Sequence, residues 1–308
     1  MSNSNVPTID LTSTMVDSNA ELATALRGSR GAREIRDAIA TGLMILAVLL
    51  VMIPLALVIG NVVAKGGSVL SWSFLTEDIP SVRKSGPGLG PAVFGTLAIT
   101  GVATALSVPL GIFGAIYLNE YAGPTRLARL IRFMSYVMTG VPSIVMGLFI
   151  YTVWVLHGSD GFNAFAGALA LACLMLPIVI RSTEEMLRLV PNSLREASLA
   201  LGTTKARTIC TVVMPAALPG VVSGCLLAVA RAAGETAPIV VVVGLTRKLN
   251  TSLLHGQNTT LSAQIYANAA QPFDGAKERA YGAALTLVLL AFGLTLIARF
   301  ITARLASK

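Results

Sequence analysis

Six long apolar segments separated by short polar ones set the pattern of this 308-residue chain. They cover residues 38–64, 91–118, 133–156, 161–180, 208–230 with an apolar continuation through 246, and 280–298. A helix crossing a hydrocarbon core about 30 Å thick needs roughly 20 apolar residues, so the pattern predicts six transmembrane helices. Pro and Gly recur inside them: Pro109, Gly111 and Gly114 in the second segment, Pro142 and Gly147 in the third, Pro177 in the fourth, Pro215 and Pro219 in the fifth. Membrane helices tolerate these residues where neighbours re-satisfy the backbone, so none of the six is demoted. Gly220 and Gly224 are spaced as GxxxG, which predicts a close helix approach, either within the chain or to a second one.

The polar stretches differ in kind. Residues 85–91 read SGPGLGP but lack the Lys-Ser or Lys-Thr of a phosphate-cradling loop, which predicts a turn feeding the second span. In the stretch 189–219, Pro191 is expected to stop one helix, and Ser193 followed by Glu196 has the spacing of a capping box that opens another. Leu194, Ala197, Ser198 and Leu201 then recur at i, i+3, i+4 and i+7, with Arg195 and Glu196 off that stripe. Gly202 is expected to close the helix in the left-handed conformation, and Thr203 or Thr204 to cap the next. A helix of about two turns is marginal alone in water, so its stripe needs a groove, which another chain can supply.

Composition bounds the function. With 54% hydrophobic and only 12% charged residues, the chain falls in the membrane class and outside the soluble globular one. The net charge of +8 does not point to nucleic acid, because the basic residues lie between apolar spans instead of forming one patch. Of 23 Lys and Arg, 15 fall in the N-terminal segment, the loop with Arg126, Arg129 and Arg132, the loop 181–207 and the C-terminal tail. Both termini and the loop 181–207 are therefore expected in the cytoplasm, and the segment 247–279 outside. Residues 1–37 read as a cytoplasmic tail: 1–20 lack any period and read as disordered, and Arg27, Arg30, Arg33 and Arg36 form a basic anchor. Residues 38–308 read as one membrane domain. The first apolar run starts too late and is too long for a cleavable signal peptide. Three cysteines without CxxC spacing imply neither a disulfide framework nor a metal site, and no cofactor is implied. No span carries a Ser-His pair, HExxH or paired Asp, so no catalytic residues are assigned and the chain is not expected to be an enzyme.

One apolar stretch does hold charge. Arg231, Glu235 and Thr236 sit between apolar runs, Arg231 about 24 Å up a helix that enters the bilayer at Pro215. Each charge there costs roughly 2.5–3.5 kcal/mol on insertion scales, so both are expected to face the bundle interior or a watery path. The spacing i, i+4 allows mutual neutralisation on one helix face, and a plain interfacial ion pair has the same spacing. Arginine offers a planar, permanent fork of donors suited to phosphate oxygens, and Glu235 an acceptor for a protonated oxyanion.

Glu196-Ala197-Ser198, Gly202 and then Val212-Val213-Met214-Pro215 resemble the EAA loop of ATP-binding-cassette (ABC) importer permeases, with Ser for the second Ala, Val for Ile and Met for Leu. The stretch ARAAGETAPI, with GPGLGPAVFGTL before the second span, is similar to the phosphate-specific permeases of that group, most of all their A-type subunit. The resemblance implies an all-α, polytopic fold of the type I importer class in a bacterial cytoplasmic membrane. It implies ATPase coupling through Glu196, Ala197, Ser198, Leu201 and Gly202, and a phosphate path through Arg231, Glu235 and Thr236. Implied partners are a related permease chain, two ATP-binding subunits that supply hydrolysis, an external phosphate-binding protein and membrane lipid. Molybdate or sulfate is the alternative cargo. A passive anion channel would leave the docking helix without purpose.

Overall fold

The computed structural model describes residues 30–84, 86–158 and 161–306, so the tail read as disordered over 1–20 and the anchor residue Arg27 lie outside the described residues. These residues form helices and connecting loops, with no strand among them. Of the described residues, those up to Gly60 make one unit and those from Asn61 on a second. The first helix, α1 (Arg30–Gly67), is apolar over its central stretch and exposes the side chains of residues 34–61 all round, as a span bathed in lipid does.

The second unit is built around α6 (Ala164–Leu189). More than half of its apolar window is buried, 56%, against 12% for the peripheral helix α12 (Asp274–Ala306). Against α6 pack α3 (Gly90–Ile116, closed by a π-helical turn at Tyr117–Tyr121), α4 (Arg126–Gly140), α5 (Ser143–Ile150) and α9 (Met214–Ala233). The glycine pair on α9 serves this packing within the chain: a Cβ on Gly224 would fall 2.6 Å from the Cβ of Ser182, and one on Gly220 would strike Met186. In lipid, where apolar contact alone gives helices little reason to associate, such close approach supplies the van der Waals contact.

Among the described residues five helices are long and apolar enough to cross a membrane, and a bent pair makes a sixth if it is one span. Counted as one span, that pair brings the number to the six expected, and it lies in the third segment, which holds Pro142. The third segment is two helices, α4 and the run Ser143–Val155 that continues α5 through a π-helical turn, set at 106° to each other. Val141 is extended, with ψ 130°, because the proline ring disfavours the helical conformation in the residue before it, and Pro142 itself has ψ 135°. The fifth segment also breaks. Its helix runs Lys205–Ala233, Gly234 ends it, and a short helix α10 (Ala237–Val242) begins with Pro238 in its first turn.

The connections before α3 and α11 are held by backbone geometry. From Gly86 on, the expected turn before α3 is formed: Gly88 has φ +134°, and a Cβ there would collide with the carbonyl of Asp78. On that side α2 (Trp72–Thr76) and α11 (Leu261–Ala269) pack beside α3. The Leu261 N–H donates to Thr96 Oγ1 at 2.9 Å.

Candidate functional site

Both breaks open on the same cavity of about 250 Å³. Met138, Thr139, Val141, Pro142 and Ser143 supply one wall from the bend between α4 and α5, Leu174 and Ile178 a second from α6, and Arg231 and Glu235 a third from the end of α9. Gly147 braces the arrangement, since a Cβ there would lie 2.7 Å from the Cα of Pro238, so α5 and α10 meet almost backbone to backbone. The first turn of α5 begins at Ser143; the Val145 N–H closes on the Pro142 carbonyl at 2.9 Å, and those of Ser143 and Ile144 precede the first carbonyl their helix could offer.

Arg231 and Glu235 are brought together, but not on one helix face. Arg231 is in the last turn of α9, and Glu235 is beyond its end, where its N–H closes on the carbonyl of Ala232 at 3.1 Å. Arg231 Nε stands 3.7 Å from Glu235 Oε1, within ion-pair range and too long for a hydrogen bond. The Arg231 side chain is 67% exposed and that of Glu235 20%, so the carboxylate is held while the guanidinium stays available. Among the described residues the guanidinium donates no hydrogen bond to any acceptor, leaving its fork free for an oxyanion. Thr236 does not line the cavity; it precedes α10, with its hydroxyl 3.5 Å from the carbonyl of Gly234. Sequence reasoning missed Thr139, Ser143 and Ser262, the last of which donates to the Glu235 carbonyl at 2.8 Å. The run Gly140-Val141-Pro142-Ser143 was the available signal for the first two, because Gly/Pro interruption of an apolar segment marks binding sites in transport proteins.

Following α6 comes α7 (Asn192–Ala200). Pro191 precedes it in extended conformation and no side chain caps it, so the capping box over Ser193 and Glu196 is not formed. The helix starts at Asn192, two residues earlier than that box requires, which puts Ser193 and Glu196 inside it. Gly202 adopts φ +82° and its N–H returns to the Leu199 carbonyl at 2.9 Å, the left-handed closure expected of it. Thr204 caps the next turn, α8 (Lys205–Thr208), by accepting from the Arg207 N–H at 3.4 Å.

The stripe read from spacing divides. Glu196, Ala197, Leu201 and Gly202 are exposed, as are Leu194 and Leu199, whereas Ser198 is buried. Its hydroxyl makes a closed triangle with those of Thr203 and Thr208, with edges of 2.8, 2.9 and 2.8 Å. That triangle joins α7 to the start of the helical run that becomes α9. Among the described residues no group of His, Cys, Asp and Glu side chains is placed to hold a metal ion.

The sequence profile of the family described as "Binding-protein-dependent transport system inner membrane component" matches residues 107–308. The chain is 41% identical over 279 residues to "Phosphate transport system permease protein PstA 1" of Mycobacterium tuberculosis (strain CDC 1551 / Oshkosh), covering 88% of this chain and 91% of that one. It is 37% identical over 286 residues to "Phosphate transport system permease protein PstA" of Yersinia pestis, covering 93% and 96%. Among solved structures, a bacterial alginate ABC transporter in complex with its pentasaccharide-bound periplasmic protein matches with TM-score 0.61 at 13% identity, over 87% of this chain and 95% of that one. An inward-facing MetNI methionine ABC transporter matches with TM-score 0.58 at 21% identity, over 70% and 95%. At these identities the structures establish the fold, that of a type I ABC importer permease. With two thirds of its length matched by the family profile and relatives above 30% identity along nearly all of it, the chain belongs to the binding-protein-dependent transport system inner membrane components.

Proposed function

We propose that this permease subunit moves inorganic phosphate inward across the bacterial cytoplasmic membrane by alternating access, driven by ATP hydrolysis on a separate subunit. The observation that carries the reading is the exposed Arg231 fork, paired to the half-buried Glu235 only at ion-pair distance, at a cavity formed by two helix breaks. A half-helix terminus and an arginine favour any oxyanion; a carboxylate acceptor favours one that still carries a proton. Phosphate near neutral pH is protonated and sulfate and molybdate are not, in keeping with the phosphate permease names of the relatives. Thr236 belongs to the same path through its place at the break. The membrane domain is residues 38–308, with the tail 1–37 and the loop 181–207 inside and the loop 247–279 outside. Partners are a related permease chain, two ATPase subunits that receive the exposed face of α7, and an external phosphate-binding protein. The deciding measurement is uptake by vesicles holding the complete importer. ATP-dependent accumulation of labelled phosphate, unaffected by excess sulfate or molybdate, is expected; equal competition by either would reassign the cargo.

The orientation has its own test. In a background lacking Cys173, Cys210 and Cys225, a cysteine at exposed Lys248 should react with an impermeant thiol reagent in intact cells, and one at exposed Arg126 should react only after lysis. The reverse pattern would invert the topology and remove α7 from the cytoplasm.

A further inference from the structure

Arg195 lies on the side of α7 turned away from the exposed docking residues, and its whole guanidinium is committed. Nε and Nη2 donate to Glu120 Oε1 at 3.2 and 2.9 Å, and Nη2 also reaches the Leu187 carbonyl at 2.8 Å. Nη1 donates to the Val190 carbonyl at 2.6 Å and to Asn192 Oδ1 at 3.2 Å. Glu120 stands in the π-helical turn that closes α3, and the pair is desolvated, with side chains 16% and 7% exposed. Leu187 lies in the last turn of α6 and Val190 just past its end; the Leu187 carbonyl accepts the Val190 N–H only at 3.4 Å, and these carbonyls carry the negative end of the helix dipole. One side chain of α7 therefore grips the inner ends of α3 and α6, the two helices most extensively packed on each other.

A second buried carboxylate extends the grip. Glu184 of α6 accepts from Arg132 at 2.8 Å and from Arg188 at 2.7 Å, and Arg132 also donates to the Leu118 carbonyl at 2.8 Å. This ties the same end of α3 to α4, whose far end bends at the cavity.

Desolvated ion pairs contribute little net stability compared with well-packed apolar groups, because the cost of dehydrating both charges offsets their attraction. What such a fork supplies is direction: several charge-assisted bonds of fixed geometry resist sideways slip, which a greasy contact does not. We infer that Arg195 and Glu120 form the joint through which displacement of α7 by the ATPase reaches α3 and α6. Both are positioning residues for the transport cycle, touching neither cargo nor nucleotide. The inference rests on the assignment of the outer face of α7 as the ATPase dock.

The test uses the complete importer in vesicles, comparing Arg195→Lys, which keeps the charge and loses the fork, with Glu120→Gln, which keeps the shape and loses the charge. Both variants are expected to co-purify with the ATPase in wild-type proportion and to hydrolyse ATP, while phosphate moved per ATP falls roughly tenfold, the scale of coupling inside one buried network. The double variant should be no worse than either single one. A wild-type ratio in both singles, or an additive decline in the double, would overturn the joint. Loss of the ATPase from both singles would overturn it too, by making the pair a folding or docking element. Failure of the docking assignment shows separately, as wild-type ATPase binding by the exposed-face variant Glu196→Lys.

Discussion

Arg231→Gln is expected to lower phosphate uptake by about 100-fold or more without preventing assembly, since it removes the guanidinium facing the cavity. Two charge-assisted bonds to an oxyanion are at stake, each about 1.5–3 kcal/mol, and glutamine replaces neither the charge nor the fork. Arg231→Lys should recover little, because an ammonium restores charge without planarity. Glu235→Gln separates two roles for the carboxylate: a mild loss means it only tempers the arginine, and a loss as deep as that of Arg231→Gln means it must accept the proton of phosphate. A plain interfacial ion pair makes the contrary forecast, since an exposed pair at this spacing is worth about 0.3–0.5 kcal/mol and all three variants would then transport nearly as wild type. Initial rates in vesicles with equal amounts of assembled importer decide the matter, and near-normal uptake by Arg231→Gln would eliminate the site.

Gly202→Pro should insert in the membrane normally and fail to retain the ATPase. The native φ of +82° is out of reach for a proline ring held near −65°, and the Gly202 N–H that bonds the Leu199 carbonyl disappears. Gly202→Ala keeps the N–H but pays roughly 1–2 kcal/mol for the left-handed conformation, so a partial loss is expected. Glu196→Lys tests the surface itself. Glu196 is exposed and five residues into α7, too far in for the helix dipole to matter, so reversing its charge acts on what docks there. Co-purification with the ATPase subunits reads all three, and wild-type recovery with Gly202→Pro and Glu196→Lys would withdraw the docking assignment.

How much of this the sequence disclosed depends on which force set each feature. Apolar length located the spans, because burial in lipid is a property of composition summed over a segment. It could not distinguish a kinked helix from a broken one: Pro109, Pro177 and Pro219 remain inside continuous helices, whereas Pro142 ends one. The difference lies in whether neighbouring helices re-satisfy the backbone, which no local window records. Arg231 and Glu235 were legible as charges where lipid disfavours them; their shared cavity with Thr139 and Ser143 was not, because it depends on the 106° bend. Gly202 was legible from a local conformational rule. Ser198 was read from periodicity as part of an outward stripe, and turns inward because Thr203 and Thr208 offer its hydroxyl partners. Arg195 left no local sign at all, its carboxylate partner lying 75 residues away.

The contact of Gly147 with Pro238 restricts how such a transporter can change its cargo. With the two interruptions welded at that point, neither backbone can be remodelled without dragging the other, so the chamber has a fixed frame and interchangeable fittings. Natural variation or laboratory selection toward a larger or differently charged anion therefore has its freest substitutions at Met138, Thr139 and Ser143, which furnish the wall without bearing on the weld. A bulkier residue at position 147 would instead distort recognition of every cargo alike.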